Sequence, residues 1–109
     1  MAYDESLADR IRAALEGNEG VTERKMFGGI AFMLDGNMCC GVVKDELIVR
    51  LSRDEGDRAL EEPGVRPMDF TGRPMRGMVF VSPAVLADDD ELRGWVGRGV
   101  AFAGTLPPK

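Results

Sequence analysis

The chain reads as a two-layer α+β domain: an antiparallel five-stranded sheet with helices packed mainly on one face, in the order α-β-β-β-α-β-β-α. Three observations predict it. Asp4 to Glu16 carries apolar residues at helical spacing. Lys25 to Leu51 holds three apolar segments separated only by short turn sequences. The last third closes on a helix that contains Trp95. At 109 residues the chain is long enough for one domain with one modest core. An antiparallel sheet covered on one face is the economical way to bury such a set of elements.

The first helix spans about Asp4 to Glu16, with Leu7, Ile11, Ala14 and Leu15 on one face. Asp4 suits an N-cap, and Gly17-Asn18 a stop. Asn18 to Val21 is a linker. Lys25 to Leu34 is predicted as the first strand, with Gly28-Gly29 near its start. Glycine weakens a strand, so the pair implies a bulge or a close backbone approach. Asp35-Gly36-Asn37 forms a hairpin turn into a second strand, Met38 to Val43. Lys44-Asp45-Glu46 turns into a third, Leu47 to Leu51.

Ser52-Arg53-Asp54-Glu55 fits a capping box, and a short helix runs to about Glu62, where Pro63-Gly64 ends it. Val65 to Phe70 is a fourth strand. Its Pro67 lacks an amide donor, which confines it to an edge or an irregular strand. Thr71 to Gly77 is a loop, and Met78 to Val81 a fifth strand that Ser82-Pro83 ends. Asp88 to Glu91 opens the last helix, which buries Leu92, Trp95, Val96, Val100 and Ala103. Its Gly94, Gly97 and Gly99 each weaken it by about 1 kcal/mol relative to Ala. Packing around Trp95 has to offset that. Thr105 to Lys109 reads as a flexible tail.

Composition excludes more than it assigns. The net charge of −5 argues against broad DNA binding, which runs on clustered Lys and Arg. The carboxylates concentrate at Asp54–Glu62 and Asp88–Glu91, where they read as solvated helix starts. There is no His, hence no imidazole base, nucleophile pair or imidazole metal ligand. Cys39 and Cys40 are adjacent, without CxxC or zinc-knuckle spacing, and read as reduced, buried thiols. Neighbours on a strand point to opposite faces, so at least one thiol is expected to pack as a small hydrophobe. No metal and no cofactor is assigned. The N-terminus lacks a basic region followed by an apolar one, and no apolar run approaches the ~18 residues of a membrane span. The expectation is a cytoplasmic protein.

Arg24, Met26, Phe27, Gly28 and Gly29, with Asp35-Gly36 after them, resemble the opening signature of the TfoX N-terminal-domain family. The meander, the Gly72-Arg73-Pro74-Met75 segment and the acidic start of the last helix follow in family order. The resemblance thus covers nearly the whole chain and implies a two-layer α+β fold. It also implies a bacterial protein with a regulatory role in natural competence. Regulators of this type carry a second, C-terminal domain after this one. The expectation here is therefore a stand-alone single-domain member.

Arg24 and Lys25 precede the signature strand, and Arg73 and Arg76 the fifth one. Should these segments meet at one sheet edge, they would form a basic patch beside the Gly28 and Gly29 amides, suited to a phosphate or carboxylate. The plainer alternative is ordinary surface charge. The methionines at 26, 33, 38, 68, 75 and 78 read as core filling, or as a binding patch should Met68, Met75 and Met78 be exposed together. Three functions remain open: a non-enzymatic regulatory or protein-interaction module, a small anionic-ligand-binding domain or enzyme using the basic patch, and a homodimer built on an edge strand or an apolar sheet face. The first, with a protein partner, is preferred. Direct DNA binding by this domain alone and membrane association are not expected.

Overall fold

A computed structural model of the chain describes residues 3–26, 28–69 and 74–108. In chain order the elements are α1 (Glu5–Ala14), β1 (Val21–Met26), β2 (Gly29–Leu34), β3 (Asn37–Val43), β4 (Glu46–Arg50), α2 (Arg53–Ala59), β5 (Val65–Asp69), β6 (Pro74–Val81), α3 (Pro83–Leu86) and α4 (Asp89–Ala103). The six strands form one antiparallel sheet in the order β1-β2-β3-β4-β6-β5. The α+β class and the antiparallel meander stand as expected, but the sheet has six strands rather than five.

The additional strand comes from the signature segment. The expected single strand from Lys25 to Leu34 is two strands, and the chain reverses between Met26 and Gly29, which face each other in the register. Gly28 takes φ +74°, a conformation that favours glycine. The glycine pair therefore belongs to a hairpin, not to a bulge at the start of one strand. β1 escapes apolar patterning because it is an edge strand whose Thr22, Glu23, Arg24 and Lys25 are all exposed. A bulge does occur, but in the β2–β3 pair. Phe32 faces Cys40 and Met33 faces Met38, which leaves Cys39 as the extra residue.

Two further boundaries shift. β6 begins at Pro74, so the expected loop from Thr71 to Gly77 is strand over its second half; residues 70–73 lie outside the described part. The Ser82-Pro83 break opens a one-turn helix, α3, before the last helix begins. β5 is an edge strand, as Pro67 requires. The caps fall on the expected residues: Asp4 Oδ1 accepts from the Leu7 amide at 3.1 Å and Ser52 Oγ from the Glu55 amide at 3.2 Å. In the tail segment, Leu106 is half-buried and the Asn37 side chain donates to the Pro107 carbonyl at 2.9 Å.

The main core lies between one sheet face and the helices. Leu7 and Ile11 of α1 meet Phe32, Val42, Leu47, Val49, Val79 and Val81 of the sheet, with Leu92, Trp95 and Val96 of α4. Each such side chain contributes about 1.5–3 kcal/mol on burial. That outweighs the glycine penalty in α4, where Trp95 is only 2% exposed. The opposite sheet face carries a second cluster of Ala31, Met38, Ile48, Met78 and Phe80. Met38 and Met78 thus fill a core. Among the described residues, no helix is long and apolar enough to cross a membrane.

Candidate functional site

Of the residues of the expected basic patch, those of the signature segment lie in or beside β1. Arg24 faces Ala31 across the β1–β2 pair and Lys25 faces Ile30, so the two side chains leave the sheet on opposite faces. Both are exposed at an edge strand. Gly28 is exposed beside them, whereas Gly29 is buried. Arg76 belongs to β6, and β2, β3 and β4 stand between that strand and β1. At roughly 4.8 Å per strand step, the two segments are not neighbours along the sheet. Arg73 lies outside the described residues. The sheet order therefore separates the backbone of β6 from that of β1.

The bulge in β3 changes the geometry of the two cysteines. Regular alternation would aim them at opposite faces. With Cys39 as the extra residue, both thiols enter the main core, both fully buried, with their Sγ atoms 3.8 Å apart. The Cys39 thiol donates to the Phe32 carbonyl at 3.3 Å. The Cys40 thiol, donating to Cys39, holds the Cys39 thiol below its ordinary pKa against the opposing effect of burial. The same contact and burial push the Cys40 thiol well above its own.

Two acidic runs, remote in sequence, line one groove. Glu62 follows α2, and Asp88 and Glu91 stand at the start of α4. With Pro63, Ala84, Val85 and Trp95 they surround a recess of about 360 Å³. A second recess of about 240 Å³ shares Glu62 and continues between α2 and α4, past Leu51, Glu55, Arg58, Ala59 and Arg98. One cation of the chain already uses this chemistry. Arg98 donates to Glu62 at 2.8 Å while its guanidinium lies 4.1 Å from the centre of the Trp95 ring. Asp88 is partly engaged, since its Oδ1 caps the Asp90 amide at 2.8 Å. The two runs do start helices, as their composition indicates. Their convergence has no signal in the sequence, because it follows from the packing of α2 and α3 beside α4.

Two ion pairs fix the surrounding frame. Arg10 on α1 donates to the Leu86 carbonyl and to Asp89, both at 2.6 Å, pinning α1 to the α3–α4 junction. Arg12 forks onto Glu23 with bonds of 2.8 and 2.7 Å, pinning α1 to β1. This pairing holds the Glu23 carboxyl below its ordinary pKa.

The model of the TfoX N-terminal domain matches residues 13–103. No curated protein matches the chain.

Proposed function

The chain belongs to the TfoX N-terminal domain family, and from that premise we propose that it is a regulatory module that works by binding a protein partner rather than by catalysis. The observation that carries this reading is the groove beside α2 and α4. Its apolar floor of Pro63, Val85 and Trp95 is rimmed by the carboxylates of Glu62, Asp88 and Glu91. Such a groove suits the aliphatic stem and cationic head of a lysine or arginine next to an apolar residue. Arg98, stacked on Trp95 and bonded to Glu62, is an example within the chain. A duplex backbone would meet the same carboxylates as repulsion, and the net charge of −5 adds to it.

Affinity capture from the native cell lysate tests the proposal, read by quantitative mass spectrometry against a Glu91→Lys control. Glu91 is exposed and reverses one rim charge without disturbing the Asp88 cap. We expect partner recovery to fall about tenfold in the variant, the loss of roughly 1.4 kcal/mol. Equal recovery on both would reject the groove. Salt-sensitive binding of duplex DNA at low ionic strength would replace the protein-partner reading with a nucleic-acid one.

A further inference from the structure

We propose that Cys39 and Cys40 form a vicinal-dithiol site that takes a trivalent arsenical bearing one organic group through both sulfurs. This inference is independent of the groove. It starts from the bulge, which turns two adjacent residues toward the same side and sets their Sγ atoms 3.8 Å apart. A centre bound to two thiolates at ~2.3 Å with a tetrahedral angle spans roughly 3.8 Å between the sulfurs. A pyramidal centre with a narrower angle spans a little less, within reach of small χ1 adjustments. A disulfide fits far worse. Adjacent trans residues hold their Cα atoms about 3.8 Å apart, short of the ~4.4–6.8 Å that disulfides adopt.

The ligand class follows from the number of donors. Among the described residues, no group of three His, Cys, Asp or Glu side chains is placed to hold a metal ion, and the chain has no His. Among these residues a bare ion would find the two thiolates as its protein ligands. A monosubstituted trivalent arsenical needs two, because its organic group fills the third position, and thiolates suit such soft centres. In the reaction, two As–O bonds of the arsonous acid break and two As–S bonds form. The two thiol protons leave with the two hydroxides as water, and arsenic keeps its oxidation state, so no oxidant or reductant is required. Cys39, whose thiolate is stabilised by the Cys40 thiol, attacks first, and Cys40 closes the ring.

Access sets the kinetics. Both thiols are fully buried, and α4 lies so close that a Cβ at Gly99 would collide with the Cys39 carbonyl oxygen. The site therefore opens only when α4 and the bulge separate locally.

The test adds phenylarsine oxide to the folded protein in native buffer and follows intact mass. The two cysteines are the only thiols of the chain, so any thiol adduct reports on them. The expected result is one phenylarsenic per chain, formed at a rate that stops rising at high probe concentration. Excess monothiol should leave the adduct in place and a dithiol should remove it. Cys39→Ala and Cys40→Ala should each lower the monothiol-resistant adduct at least about tenfold. The reversal test on the unmodified chain decides the matter should either variant fail to fold. Adduct formation only in urea, removal by monothiol, or full retention in either variant would overturn the proposal.

Discussion

Gly28 and Gly29 stand side by side and are glycines for different reasons. Gly28 sits in the β1–β2 reversal at φ +74° with open space where a Cβ would go. Gly29 has ordinary φ, but a Cβ there would run into the Val42 carbonyl oxygen of β3. The first position constrains the backbone, and the second limits the distance between two strands. Substitutions should separate the two. Gly28→Asn should cost less than about 1 kcal/mol, because Asn tolerates the left-handed region. Gly29→Ala should cost about 1–3 kcal/mol, because backbone rather than a flexible side chain must give way. Urea midpoints measure both, and equal midpoints for the two variants would contradict the assignment. The sequence shows that these glycines matter. It does not distinguish their roles, since a bulge, a turn and a close approach all select glycine.

At the scale of elements, legibility tracks how local the determining interactions are. The caps at Asp4 and Ser52, the Asp35-Gly36 hairpin and the edge placement of the strand with Pro67 rest on contacts a few residues apart, and the chain declares them. β1 was not legible, because its exposed Thr22 to Lys25 carry no apolar period. Its place in the fold comes from backbone pairing with β2, and the Arg12–Glu23 ion pair joins it to α1. The groove was illegible for the same reason, since Glu62 and Glu91 meet only through tertiary packing. The Arg12–Glu23 pair has a pH signature. The folded-state pKa of Glu23 lies below the unfolded one. Its contribution is therefore present above the ordinary glutamate value of about 4.3 and is lost as pH falls through the lower folded value. Both side chains are 39% exposed, so solvent screening holds the contribution below about 1 kcal/mol. Glu23→Gln should thus lower stability slightly at neutral pH and flatten the acid limb of the pH–stability curve. Parallel curves for the two proteins would show that the pair does not couple α1 to β1.

At the scale of the whole molecule, the sheet ends in two edges that are protected by different means. β5 carries Pro67, which cannot donate to a further strand. β1 carries Glu23, Arg24 and Lys25 in succession. Extension of the sheet through two copies of β1 about a two-fold axis would set one residue against its own copy. A centre on Glu23 or Lys25 then places like charges directly opposite each other, which is destabilising, whereas a centre on Arg24 sets that residue against its own copy but also pairs Glu23 with Lys25. The helices cover one sheet face, and the buried cluster of Met38, Ile48, Met78 and Phe80 occupies the other. The molecule should accordingly be monomeric in dilute solution at low and high salt. Arg24→Val combined with Lys25→Thr removes the like-charge pairs of the Arg24 and Lys25 centres and supplies strand-forming residues, and should shift the chain toward dimers or larger species. Size-exclusion chromatography with light scattering reads both outcomes. A dimer of the unmodified chain that survives high salt would mean that the charged edge does not limit association. An unchanged mass in the double variant would place the protection elsewhere on β1.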